Sequence, residues 1–172
     1  MKMRVADYIV NFLVEKNIKD IFVLTGYGAM YLNDALVSNP KIKYYCVRNE
    51  AASPMMAEAY ARLKGSIGAV CLTAGPGSTN AIPGLAEAWV DSAPVIIFSG
   101  QVQKSHTTYA AKIAGLRSFG TAEINIIPIV KPMTKYADMI MDPKKIRFHL
   151  EKAYFLFSTF TNTISSPFVK TT

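Results

Sequence analysis

IGAVCLTAGPGSTNAIPGLAEAWVDSAPVIIF, residues 67–98, decides the architecture. It opens on a continuous apolar run, Ile67 to Leu72, that is too short for a typical helix and is bounded by turn-forming residues, so a buried strand is expected. Gly75-Pro76-Gly77 then breaks the chain sharply. A helix from Ser78 to Val90 follows, with Ser78 placed to cap it, and a second apolar strand covers Val95 to Phe98. Neither strand alternates polar with apolar residues, which is the pattern of a parallel sheet covered on both faces.

The same unit repeats on either side. Val5, Ala6, Ile9, Val10 and Leu13 have helical spacing and lead into a strand at Ile21–Leu24; a helix near 29–36, a strand at 44–47 and a helix at 50–63 come next. Residues 100–120 show little periodicity and predict a long loop with at most one helical turn. A short strand is expected at 134–137. Asp142 then serves as N-cap and Pro143 as first position of a helix carrying Ile146, Leu150 and Tyr154. Beyond Phe157 neither period persists, and the tail is expected to supply a weak last strand or to be disordered. The fold class is α/β, a parallel sheet sandwiched between helices, with residues 1–158 as the domain and 159–172 as an irregular tail.

The chain has 172 residues, 51% hydrophobic and 18% charged, enough for one domain that needs no disulfide or metal staple. Cys46 and Cys71 lie in apolar runs without a CxxC or His/Cys cluster, so both read as buried thiols in a reducing compartment. The first twenty residues carry charges every few positions, and no stretch approaches the roughly 18 apolar residues of a membrane span, which predicts a cytoplasmic protein. Lys and Arg number 19 against 12 Asp and Glu, giving +7. These cations are scattered, and the densest group, Lys131 to Lys152, is interleaved with Asp138, Asp142 and Glu151. It reads as a solvated helix face, not a nucleic-acid site. His106 reads as a loop residue and His149 as a helix-surface residue, and no metal ligands are assigned.

In open α/β sheets ligands gather beyond the carboxyl ends of the strands. The first such turn, Thr25-Gly26-Tyr27-Gly28-Ala29, predicts free N–H groups at a helix start, although a plain sharp turn explains its glycines equally well. The second, Arg48-Asn49-Glu50-Ala51, sets a carboxylate among small apolar residues. That is either a helix-dipole partner or a poorly solvated acid suited to exchanging a proton with a ligand nitrogen. The third, Thr73-Ala74-Gly75-Pro76-Gly77-Ser78-Thr79-Asn80, lacks the Gly-Lys-Ser/Thr of a phosphate loop.

Together, Glu50 and the segment from Ala57 to Val102 resemble the N-terminal pyrimidine-binding domain of thiamine-diphosphate-dependent enzymes, in the acetolactate synthase-like branch. The resemblance runs from about Arg4 to Ser158. It implies that Glu50 hydrogen-bonds N1′ of the cofactor's aminopyrimidine. This would favour the imino tautomer, whose 4′-nitrogen deprotonates the thiazolium C2 for attack on a 2-oxo acid. It further implies that Gly26 and Gly28 form the turn beside the active site, and that Gly75, Pro76, Gly77 and Asn80 lie near the pyrimidine. Gln101 would stand near the substrate or an accessory flavin (FAD); as a residue, it reads equally well as a loop amide bonding its own backbone.

Two positions depart from the family pattern: Asn49 replaces a frequent His, and Thr121-Ala122-Glu123 stands where Phe-Gln-Glu commonly lines the substrate channel. No Gly-Asp-Gly occurs in the chain. The resemblance therefore implies that the diphosphate and its Mg²⁺ are bound by a missing domain or a partner, leaving this chain the pyrimidine half only. The expected function is that of a pyrimidine domain acting on 2-oxo acids, inactive alone, with the end of the chain reading as truncated or altered. The expected partner is a pyrophosphate-binding domain on another chain, or a homo-oligomer. The alternatives are the small subunit of a two-chain sulfopyruvate- or phosphonopyruvate-type decarboxylase, and a non-catalytic interaction module.

Overall fold

Side-chain alternation along three central strands builds the core. In β1 (Asp20–Val23), Ile21 and Val23 join one apolar cluster and Phe22 joins the other. In β3 (Gly68–Leu72), Ala69 and Cys71 are set against Val70 and Leu72, and in β4 (Val95–Ser99), Ile96 and Phe98 against Val95 and Ile97. Such period-two sorting gives a sheet with two buried faces. Helices α1 (Val5–Glu15), α2 (Met30–Ser38) and α8 (Ile146–Ser158) cover the first face with Ile9, Leu13, Leu32, Leu36 and Leu150. The second is covered by α3 (Ala52–Lys64), α5 (Ile82–Val90) and α7 (Ile127–Val130) through Ala57, Leu85 and Val130. Each large aliphatic side chain so buried contributes about 1.5–3 kcal/mol.

The structure is a computed structural model and describes residues 3–158 and 167–171. With β2 (Lys43–Cys46), β5 (Tyr136–Ile140) and β6 (Pro167–Thr171), the strands form one six-stranded sheet of order β2-β1-β3-β4-β6-β5, in which every pair is parallel. The short helices α4 (Pro76–Thr79) and α6 (Thr108–Ala111) complete the described α-helices.

Several expectations need correction. β2 is an edge strand whose four residues are all exposed, so Cys46 is an exposed thiol. Cys71 alone is buried, and burial pushes its thiol up to about 12. The helix expected over 78–90 is two helices, because in a continuous helix the ring of Pro83 would meet the carbonyl of Thr79. Ser78 caps nothing: it lies inside α4, and its hydroxyl donates to the Thr73 carbonyl. His149 is buried on α8 with Nδ1 against the Tyr136 hydroxyl, because its helix face turns toward β5.

The sequence signal at Asp142 and Pro143 is realised as a 3₁₀ turn, in which Asp142 accepts from the Lys144 N–H at 3.0 Å, and α8 begins after it. Lys144, Lys145, Arg147 and Lys152 are exposed, and Arg147 pairs with Glu151 at 2.8 Å. Of the two outcomes left open for the tail, the structure shows the last strand. Residues 167–171 form β6, satisfying the backbone edges of both β4 and β5, while 159–166 lie outside the described residues.

The loop after β4 is more ordered than its composition suggests. It holds a 3₁₀ turn at Lys104–His106 and helix α6, capped by Thr107 Oγ1, which accepts from the Ala110 N–H at 3.2 Å. The carboxylate of Glu123, 4% exposed, gathers this loop by accepting from Thr108 Oγ1 at 2.9 Å, the Thr108 N–H at 3.3 Å and the Phe119 N–H at 3.4 Å.

Two outcomes follow from these buried polar groups. Burial holds the His149 imidazole below its ordinary value of 6.5, against the pull of Asp138 and aided by Lys145 and Lys152. The unfolded chain therefore takes up this proton more readily, so stability is complete above about pH 6.5 and falls as pH drops below it. Urea midpoints at about pH 7.5 and 5.5 should show this decline, and it should shrink in His149→Gln. Glu123→Ala should cost about 1–3 kcal/mol by orphaning its donors, and should speed tryptic cleavage after Lys112 and Arg117.

Candidate functional site

The order of the sheet creates a crevice. The chain leaves β1 toward β2 on one side and leaves β3 toward β4 on the other, so the turns after β1 and β3 diverge. A crevice at such a divergence is where ligands of open α/β sheets bind. Gly26–Gly28 follow β1, and Gly75–Gly77 follow β3.

Glu50 reaches this crevice from the turn between β2 and α3. Asn49 Oδ1 accepts from the Ala51 N–H at 2.9 Å, and the Glu50 carbonyl accepts from the Ser53 N–H at 3.1 Å. This Asx turn fixes the backbone at Glu50, giving Asn49 a local task. Across the crevice, Asn80 Nδ2 donates to Glu50 Oε2 at 2.6 Å. The other carboxylate oxygen, Oε1, lies 3.3 Å from where a Cβ on Gly77 would sit, so a side chain there would crowd the acid. Glu50 is half-buried, not dry as the sequence suggested, because α3 and the Gly-Pro-Gly turn cover it on one side only.

Thr73, the residue after β3, ties the two glycine turns together. Its Oγ1 accepts from the Gly28 N–H at 3.1 Å, so that N–H is not free as the turn's sequence suggested. Under the turns, Ser99 Oγ donates to Ser78 Oγ, whose own proton goes to the Thr73 carbonyl. Gly75 has φ +59°, a left-handed conformation, and a Cβ there would collide with the Ala122 carbonyl. The long loop thus packs directly onto the Gly-Pro-Gly turn.

A cleft of about 620 Å³ opens beside these turns, lined by Gly26, Gly28, Pro76 and Gly77 on one wall and by His106 and Thr121 on another. Gln101 does not line it. It faces a second cleft of about 600 Å³ between α1, α2 and the start of the long loop. Gln101 Oε1 accepts from the Val102 N–H at 3.1 Å, the local bond expected of a loop amide. Its Nε2 is buried and has no hydrogen-bond partner among the described residues. Glu50 and Asn80 are therefore in direct contact with Gly77 beside the carboxylate, Gly26 and Gly28 join them through Thr73, and Gln101 stands apart. Sequence reading gave Thr73 and Ser99 no role and Ser78 only that of a helix cap; a polar residue ending a buried strand just before Gly-Pro-Gly was the available signal.

Among the described residues no group of three or more His, Cys, Asp or Glu could hold a metal ion, and no helix is long and apolar enough to cross a membrane. The arrangement is suited to a flat, nitrogen-bearing ring, with a carboxylate held at one edge and side-chain-free backbone on two sides.

Comparison with known proteins agrees with this geometry. The family described as thiamine pyrophosphate enzyme, N-terminal TPP binding domain, matches residues 3–123. The acetolactate synthase large subunit of Buchnera aphidicola subsp. Schizaphis graminum is 35% identical over 154 residues, covering 90% of this chain and 25% of that protein. The acetolactate synthase isozyme 3 large subunit of Escherichia coli is 34% identical over 151 residues, 88% of this chain and 25% of that protein. The chloroplastic acetolactate synthase of Arabidopsis thaliana is 32% identical over 151 residues, 88% of this chain and 21% of that protein. The chain spans about a quarter of the length of these relatives. With a carboxylate and two glycine turns meeting at the sheet's switch point and most of its length matched, the chain belongs to the N-terminal TPP-binding domain family of thiamine pyrophosphate enzymes.

Proposed function

We propose that this chain forms the aminopyrimidine half of a thiamine-diphosphate site in an acetolactate synthase-like enzyme acting on 2-oxo acids. The observation that carries the reading is Glu50, oriented by Asn80 at 2.6 Å with its second oxygen over Gly77. The relatives named above favour it over the two-chain decarboxylase.

When bound, thiamine diphosphate supplies the carbanion chemistry needed to act on a 2-oxo acid. The residues of this chain do the rest. Glu50 would hold a proton at the ring nitrogen N1′, with Asn80 keeping the carboxylate in one rotamer so that this proton has a fixed position. Gly26, Gly28, Gly75, Pro76 and Gly77 would let the ring lie close to the backbone. Gln101, buried with an unspent donor, is suited to a substrate or flavin group entering from the second cleft.

The diphosphate and its Mg²⁺ would fall to a pyrophosphate-binding domain that is missing from this chain or lies on a partner; a homo-oligomer is the other assembly expected. Exposed Tyr27, Tyr31, Met55 and Met56 flank the turns that carry the site, an apolar surface suited to such a partner.

Replacing Glu50 with Gln keeps the shape and removes the proton carrier. Glu50→Gln should leave the unfolding midpoint unchanged within about 0.5 kcal/mol and weaken thiamine diphosphate binding by calorimetry. Assembled with a diphosphate-binding partner, it should lose at least about 100-fold in turnover of 2-oxo acids. Unchanged binding and turnover would remove Glu50 from the mechanism.

A further inference from the structure

Thr73 directs each of its polar or branching groups at a different part of the crevice. Its Oγ1 accepts the Gly28 N–H at 3.1 Å. Its Cβ lies 2.5 Å from where a Cβ on Gly26 would stand, and its Cγ2 lies 2.5 Å from the corresponding point on Gly77. Its carbonyl accepts from Ser78 Oγ, and Ser78 Oγ accepts in turn from Ser99 Oγ, which anchors the residue to α4 and, through it, to β4. One side chain therefore touches both glycine turns, and the turn it meets at Gly77 is the one beneath Glu50 Oε1.

We propose that Thr73 is a positioning residue: its side chain is the spacer that fixes the gap between the Gly26–Gly28 and Gly75–Gly77 turns, and so sets the ring-binding surface against Glu50. The inference rests on the function proposed above and adds to it a residue that touches no reacting atom. The hydroxyl carries the spacing, and the methyl only packs. The hydroxyl oxygen holds the first turn through Gly28, and the methyl fills the space that the missing side chain of Gly77 leaves. Valine keeps the shape and removes the acceptor, leaving the Gly28 N–H without its partner. Serine keeps the acceptor and removes the methyl.

The test uses the whole 172-residue chain, with a diphosphate-binding partner domain supplied in the binding measurements. Amide hydrogen exchange at Gly28 and calorimetric titration with thiamine diphosphate and Mg²⁺ are measured for the unmutated chain, Thr73→Val and Thr73→Ser. In Thr73→Val, losing one hydrogen bond should speed Gly28 exchange by about fivefold and weaken binding by a similar factor, while the amides of Val70 and Ile97 keep their protection. Thr73→Ser should keep the Gly28 protection and bind within about twofold of the unmutated chain, a rescue that a purely packing role would not give. Gly28 exchange as slow in Thr73→Val as in the unmutated chain overturns the spacer. Faster exchange with unchanged affinity overturns its role in placing the ring. Failure of the unmutated chain to bind thiamine diphosphate overturns the functional reading instead, and the Gly28 exchange rate still decides the spacer.

Discussion

The position of β1 between β2 and β3 is the constraint on which the rest depends. Parallel strands need crossovers, and crossovers that leave neighbouring strands in opposite directions cannot fill the space between their first turns. That space is the crevice. The buried faces of β1, β3 and β4 hold the strands in register, so the two turns are placed by the core and not by their own weak contacts. Local chemistry then refines the gap: Thr73 bridges the turns, the serine pair braces them from below, and Glu50 enters over Gly77.

The long loop after β4 closes one side of this arrangement. A buried carboxylate with three donors is a strong local organiser, and Glu123 uses it to place the Ala122 carbonyl on Gly75. Ala122 itself adopts φ +58°, an unfavourable conformation for a residue with a Cβ, and the loop's other contacts hold it there. Where the family commonly carries Phe-Gln-Glu, this chain thus keeps the acid as an internal clasp and gives the preceding positions small side chains.

Much of this was legible in the sequence. Continuous apolar strands and helical periodicity gave the order and type of the main elements, since burial on both faces leaves a clear hydrophobic pattern. The glycine turns and Glu50 stood out because unusual residues at strand ends have few structural explanations. Other features were hidden for definite reasons. The exposure of Cys46 depends on β2 being at the edge, which is a matter of strand order and not of local pattern. The burial of His149 depends on which face α8 turns toward β5, and its hydrogen bond with Tyr136 joins residues from different elements. β6 lacked a pattern because its partners β4 and β5 supply the backbone hydrogen bonds that its own composition does not predict. The half-exposure of Glu50 arises because the crevice is open on one side, which no short motif records.

The most direct test of the account is a titration of the isotopically labelled chain with thiamine diphosphate and Mg²⁺, followed by amide chemical shifts. Shifts concentrated at Gly26–Gly28, Glu50–Ala52 and Gly75–Asn80 would place the aminopyrimidine in the crevice between the β1 and β3 turns. Shifts confined to the opposite end of the sheet, around Asn17–Ile18 and Ser92–Ala93, would contradict it.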